Sequence, residues 1–312
     1  MKIVILDSKT LGSDCELDLF NKFGEIEIFE TTSSNKTIDR IKDADIVLTN
    51  KVVLGKKEME SALNLKLICV LATGMNNIDT EFAKSRDIVV KNVKGYSTQS
   101  VTQHTFAMAF YLIEQLKYYD EFVKSSSWSQ SKLFTCIDKP FFELHKKTWG
   151  IIGLGEIGKN VANVAKAFGA NIIYYSTSNN NNSTDFQRVS LDELLSTSDI
   201  ISIHAPLNEN SKNLLNYENM KLIKTKAVLL NLGRGGIINE DDLAKILDEK
   251  EIFVALDVTA IEPLDVNSPL LKIKNRDNLL ITPHIAWSSI EARNKLLEQT
   301  YKNIEDFLRD KS

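Results

Sequence analysis

The chain holds four histidines, His104, His145, His204 and His284, and imidazole is the side chain best suited to taking and giving a proton near neutral pH. Two of them end short apolar runs: His204 opens HAPL (204–207) and His284 stands in TPHIAW (282–287). His104 falls inside an apolar helix-like stretch and His145 among lysines in a loop, poorer places for proton transfer. Arg234 stands in NLGRGG (231–236), among glycines that let a ligand come close. Its planar guanidinium is built to grip a carboxylate through two hydrogen bonds. Asp257 closes a further apolar run, and Glu262 follows in the loop before Pro263. A carboxylate beside an imidazole favours the protonated ring and fixes its tautomer, which makes such a pair a usable acid/base. Taken alone, Glu262 reads as a loop residue.

A second constellation lies upstream. Gly153, Gly155 and Gly158 in GLGEIG (153–158) follow the strand-like TWGII and open the helix-like KNVANVAKAFG. In a dinucleotide fold the first glycine makes the tight turn, the second lets the backbone approach a pyrophosphate and the third lets helix pack on strand. The phosphates then sit on the helix N-terminus. Such a fold usually closes its second strand with an acidic residue that binds the ribose hydroxyls. Here that strand ends YYSTS (174–178), and no Asp or Glu appears before Asp185. No carboxylate repels a 2′-phosphate, and no Lys or Arg between Lys166 and Arg188 attracts one. Ser176 can serve NAD or NADP, with a lean towards NAD.

The elements that must position these residues are legible as alternating runs. KIVILD (2–7), EIEIFE (25–30), DIVLTN (45–50), LKLICVLA (65–72) and IVVKNV (88–93) alternate with helix-like segments around 13–23, 35–43, 56–63 and 79–86. Continuous apolar strands between helices imply a parallel sheet covered on both faces. From Ser97 to about Val123 the spacing is helical with neither Gly nor Pro, which predicts one long, largely buried helix. A second series opens at KKTWGIIGLGEIG (146–158) and continues through NIIYYS (171–176), IISIHA (200–205), AVLLNL (227–232), FVALDV (253–258) and NLLITP (278–283), before a final helix over roughly 289–309. Asn179 to Asn182 reads as a solvated loop.

Composition narrows the function classes. The 312 residues carry 38 Lys+Arg against 42 Asp+Glu, a formal net charge of −4, with no Lys/Arg-rich block. That balance argues against nucleic acid or a membrane surface as partner and favours small-molecule chemistry. Cys15, Cys69 and Cys136 form no CxxC pair, so neither a disulfide framework nor a metal site is expected. The longest apolar runs fall far short of the ~20 residues of a membrane-spanning helix. There is no secretory leader pattern, and a cytoplasmic protein is expected.

Arg234, Glu262 and His284, in that order and behind GLGEIG, resemble the Arg/Glu/His set of the D-isomer-specific 2-hydroxyacid dehydrogenases, and the resemblance covers nearly the whole chain. It implies an α/β protein of two doubly wound parallel-sheet domains, with a Rossmann NAD(P) domain (99–288) inserted in a flavodoxin-like substrate domain (1–98 plus 289–312) and the active site between them. By position, His284 resembles the general acid that protonates the ketone oxygen as hydride arrives. Glu262 would keep it protonated, and Arg234 would bind the substrate carboxylate. Ala72, Thr73, Gly74 and Trp287 would complete the substrate site. Cofactor contacts would come from Thr73, Gly153, Gly155, Glu156, Ile157, Gly158, Ser176, Ala205, Leu232, Gly233, Arg234, Asp257, His284 and Ala286. Within the family, LATGMNNID (71–79), GYST (95–98) and TPHIAW (282–287) are similar to the glycerate dehydrogenase, or hydroxypyruvate reductase, branch. The Trp287 ring would narrow the pocket to a small 2-oxoacid. The resemblance also implies a homodimer, with the stretch 128–144 as an arm around the partner. The competing readings are a nucleotide-sensing scaffold like the family's corepressor members, a reductase for a bulkier 2-oxoacid, and formate or phosphite oxidation.

Overall fold

The computed structural model describes residues 1–178 and 183–310, so the asparagine run 179–182 lies outside the described residues. In chain order the elements are β1 (Lys2–Ile5), β2 (Glu25–Ile28), α1 (Ser34–Ile41), β3 (Ile46–Thr49), α2 (Lys56–Ser61), β4 (Leu67–Val70), α3 (Thr80–Ser85), β5 (Val89–Lys91), α4 (Thr98–Ile113), α5 (Leu116–Lys124), β6 (Thr148–Ile152), α6 (Glu156–Ala167), β7 (Asn171–Tyr175), β8 (Gln187–Arg188), α7 (Leu191–Thr197), β9 (Ile200–Ile203), α8 (Tyr217–Met220), β10 (Val228–Asn231), α9 (Glu240–Glu249), β11 (Phe253–Leu256), β12 (Leu279–Ile281) and α10 (Ile290–Arg309). They form two compact units, Met1–Ser97 with Trp287–Ser312, and Thr98–Ala286.

The first unit is a parallel sheet in the order β2-β1-β3-β4-β5, the flavodoxin-like winding. Its central strands β3 and β4 are buried on both sides, and β1 nearly so, because both faces are covered. Ile3, Ile5, Leu48 and Leu67 face one apolar cluster, and Val4, Val47, Ile68 and Val70 face the other. Helix α10 belongs to this unit. Ala292, Leu296, Leu297, Thr300, Ile304 and Phe307 recur at helical spacing, are buried, and all but Thr300 join the first of those clusters. Ser289 caps the helix by accepting from Ala292 N. Trp287 packs edge-on against Tyr96 at 6.2 Å.

The second unit is a seven-stranded parallel sheet in the order β12-β11-β10-β9-β6-β7-β8, with the reversal of strand order between β6 and β9. Apolar clusters cover both faces, one built on Ile201, Ile203, Leu229 and Val254, the other on Trp149, Ile151, Ile200 and Leu230. The indole of the buried Trp149 donates to Ser202 Oγ at 2.9 Å, satisfying a polar atom that would otherwise be stranded in the core. The sheet register puts Tyr175, Ile152, Ile203, Asn231, Leu256 and Ile281 in one row across the sheet. Everything that follows those residues therefore emerges on a single edge, the carboxyl edge where open α/β sheets bind ligands.

Three local expectations change. The single helix over 97–123 is two, because Gln115 takes a left-handed conformation (φ 52°, ψ 40°) and its amide donates to Leu112 O at 2.7 Å, ending α4 with its own side chain. Helix α4 is buried, but α5 buries no residue. The helical expectation around 13–23 gives way to a 3-10 segment over Leu17–Phe23 that places only Phe20 fully in the core. The two-residue strand β8 was too short to show as a periodic run.

Candidate active site

The carboxyl edge of the second unit collects the glycine loop, Ser176, His204, the Arg234 loop, Asp257 and the His284 loop. At the glycine loop the backbone leaves open space at the helix start. Gly153 adopts φ +91°, and a Cβ there would lie 2.8 Å from Ala205 N, so only glycine fits. A Cβ on Gly155 meets nothing within 4 Å, leaving open space over the N-terminus of α6. Ile157 and Gly158 continue into α6, and the Glu156 carboxylate accepts from the buried Thr98 Oγ1 at 2.7 Å. Ser176 directly follows β7 and is 3% exposed. Both ring nitrogens of His204 are buried and have no hydrogen-bond partner among the described residues, and burial pushes its pKa down to about 3. A neutral imidazole therefore borders the cradle that Ala205 helps to close. This open, glycine-lined helix start and the orphaned ring fit a dinucleotide.

The Arg234 loop is wound by Asn231. The Asn231 side chain accepts from Gly233 N at 3.1 Å and donates to Arg234 O at 3.0 Å, an Asx-type turn that fixes the residue after the strand. Arg234 donates through one Nη to Gly233 O at 2.8 Å, which anchors one corner of the guanidinium. Leu232 and Gly233 are buried beneath it.

A carboxylate–imidazole pair forms across 22 residues of chain: His284 Nδ1 and Glu262 Oε2 are 2.7 Å apart. Both side chains keep access to solvent, at 24% and 34%. Glu262 also accepts from Thr259 N at 3.1 Å, so one carboxylate oxygen holds the imidazole and the other its own loop. His284 has φ 55°, a conformation non-glycine residues rarely adopt. Asp257 maintains it. Its carboxylate, 2% exposed, accepts from Thr282 Oγ1 (2.7 Å), Ile285 N (2.8 Å) and Ala286 N (2.9 Å), while its backbone oxygen accepts from His284 N (2.9 Å). Asp257 thus shapes the whole turn that presents His284. His104, discounted from the sequence, lies 3.2 Å from Thr282 Oγ1 and joins this cluster, whereas His145 packs beside Gly169, ahead of β6. Neither Asn231 nor the clamp role of Asp257 was visible in the sequence beyond each closing a strand.

In the first unit, Ala72, Thr73 and Gly74 follow β4. Thr73 Oγ1 donates to Val93 O at 2.9 Å, and Thr73 O accepts from Asn92 Nδ2 at 2.6 Å, so the turn is tied to the strand beside it. The three cysteines are free. Among the described residues no group of three or more His, Cys, Asp or Glu is arranged to hold a metal ion, and no helix is long and apolar enough to cross a membrane.

Residues 106–286, nearly the whole second unit, match the family model described as D-isomer specific 2-hydroxyacid dehydrogenase, NAD binding domain. The chain belongs to this family. The dehydrogenase is 35% identical over 316 residues to a hydroxypyruvate reductase of Blautia hydrogenotrophica, covering 99% of this chain and 97% of that one. Its fold is similar to an acyclic imino acid reductase solved with NADPH and D-arginine (TM-score 0.86, 30% identity, 99% and 98% coverage). It is also similar to a D-lactate dehydrogenase from Aquifex aeolicus solved with NAD and lactic acid (TM-score 0.84, 27% identity, 99% and 96% coverage). The dehydrogenase is accordingly an NAD(P)-dependent oxidoreductase, and the cradle at Gly153 to Gly158 belongs to its cofactor domain.

Proposed function

We propose that this dehydrogenase reduces a small 2-oxoacid to the D-2-hydroxyacid, hydroxypyruvate to D-glycerate first and glyoxylate second, with NADH as reductant. The observation that carries the reading is the 2.7 Å contact between His284 Nδ1 and Glu262 Oε2 on the carboxyl edge of a dinucleotide-binding sheet. With Nδ1 engaged, His284 offers Nε2 to the carbonyl oxygen of the substrate. That nitrogen gives up its proton as the oxygen gains charge, and takes it back in the oxidative direction. Glu262 holds the ring in one orientation. The anchored guanidinium of Arg234 binds the substrate carboxylate and polarises the carbonyl. When bound, the reduced nicotinamide supplies the hydride. Gly153 to Gly158, Ser176, Ala205 and Leu232 to Arg234 form the proposed cofactor site. Ala72, Thr73, Gly74 and Trp287 are carried over from the family resemblance as proposed substrate contacts.

We further infer a homodimer. Trp128, Leu133, Phe134, Ile137 and Phe141 are 47%, 70%, 89%, 79% and 55% exposed on the stretch 128–144, a density of bare apolar side chains that a second copy of the chain would cover.

Initial rates with hydroxypyruvate, glyoxylate and pyruvate, for the wild type and His284→Gln, test the proposal. Turnover of hydroxypyruvate that falls by ~10²–10⁴-fold in the variant supports it. Equal rates, or NADH binding with no turnover of any oxoacid, would overturn it in favour of a sensing scaffold or a bulkier substrate.

A further inference from the structure

The loop that delivers Glu262 is poorly held by packing. Ala260, Ile261 and Glu262 are exposed, Ile261 at 61%, so hydrogen bonds must set its course. Within the loop Thr259 N donates to Glu262 Oε1 and Thr259 Oγ1 donates to Ile261 O at 2.9 Å. From outside it, Ala260 N donates to Glu240 Oε1 at 2.6 Å. Glu240 opens α9, where an acidic side chain would ordinarily serve its own helix. Here Asn239 already caps α9 by accepting from Asp242 N at 3.1 Å, and the Glu240 carboxylate instead turns across to a peptide 20 residues on. It is half-buried, and burial together with the charges of Asp241 and Glu262 raises its pKa against the Ala260 bond that lowers it. A carboxylate placed near another carboxylate, partly out of water, is costly unless it does a job.

We propose that Glu240 is a positioning residue for the acid/base pair: by holding Ala260 N it fixes the 259–262 turn and so the reach of Glu262 to His284. The proposal rests on the reading of His284 and Glu262 as the proton-transfer pair. Glu240 touches no reacting atom, so its effect falls on the geometry of the pair rather than on the binding of cofactor or substrate.

The test compares Glu240→Ala, Glu240→Asp, Glu240→Gln and His284→Gln in the full chain. The readouts are kcat, KM for hydroxypyruvate, NADH affinity by fluorescence, Tm, and the His284 ring nitrogens by NMR in the protein without ligands. Glu240→Ala should lower kcat about tenfold with KM and NADH affinity unchanged, the signature of a lost catalytic alignment. Glu240→Asp, one methylene too short, should behave alike and serves if the alanine variant does not fold. Glu240→Gln keeps an acceptor oxygen and should retain most of kcat. The Nδ1 signal of His284 should lose its hydrogen-bonded character in the alanine and aspartate variants and keep it in Glu240→Gln. Wild-type kcat and an unchanged His284 signal in Glu240→Ala, with His284→Gln inactive, would overturn the positioning role only. A parallel loss of Tm, NADH affinity and kcat would overturn it in favour of a structural role. An active His284→Gln would instead overturn the underlying acid/base reading.

Discussion

Replacing Gly235 with alanine tests whether the Arg234 loop and the Glu262 loop act as one body. A Cβ at Gly235 would sit 1.9 Å from Thr259 O, 2.1 Å from its carbonyl carbon and 2.6 Å from Ala260 N, where real Cβ contacts stay beyond 3.0 Å. The Thr259–Ala260 peptide must therefore retreat by about 1 Å, or the Arg234 loop must, since all of the obstructing atoms are backbone. Thr259 N is the donor that fixes Glu262 Oε1, and Glu262 Oε2 reaches His284 Nδ1 at 2.7 Å. A displacement of about 1 Å takes that contact past the ~3.2 Å limit of a hydrogen bond. Misplacement on this scale costs on the order of 10²-fold in rate. The expected outcome for Gly235→Ala is a fall of about 10²-fold in kcat for hydroxypyruvate reduction, followed by NADH absorbance. NADH affinity should fall less than kcat, because the glycine loop is untouched and only the Arg234 side of the proposed cofactor site is displaced. A folded variant whose kcat stays within about threefold of wild type would refute the interlock, since it would show that the two loops relax independently.

Two further outcomes follow from particular residues. His204 has a folded pKa of about 3 against 6.5 for the free side chain, so between these values the unfolded chain binds the extra proton. Stability is then full above 6.5 and is lost as pH falls, by about 1.4 kcal/mol per pH unit for one group. Chemical denaturation across that window should show a shallower slope for His204→Leu than for wild type, and identical slopes would contradict the buried neutral ring. At Ser176, 3% exposed at the end of β7, aspartate would bring a carboxylate to the adenosine ribose. Ser176→Asp should lower kcat/KM with NADPH about tenfold while sparing NADH, as measured by paired initial rates, and an equal loss with both cofactors would show that Ser176 does not face the 2′ position.

The sequence alone determined the alternation of strands and helices, since continuous apolar runs separated by helix-length amphipathic segments imply a parallel sheet covered on both faces. It also determined the glycine loop, where the spacing of Gly153, Gly155 and Gly158 carries the backbone requirement itself. Local signals of this kind are legible because each residue's constraint comes from its own neighbours in the chain. The break at Gln115 was not legible, because a left-handed residue stabilised by its own amide leaves neither Gly nor Pro as a mark. The contact between His284 and Glu262 was legible only through the family resemblance, for the two lie on separate loops and meet because the register aligns Leu256 and Ile281 on one edge. The three donors that converge on Asp257, the turn wound by Asn231 and the reach of Glu240 to Ala260 have the same origin. A buried carboxylate or amide takes whatever donors the packed strands bring to it, and which those are is decided by tertiary placement.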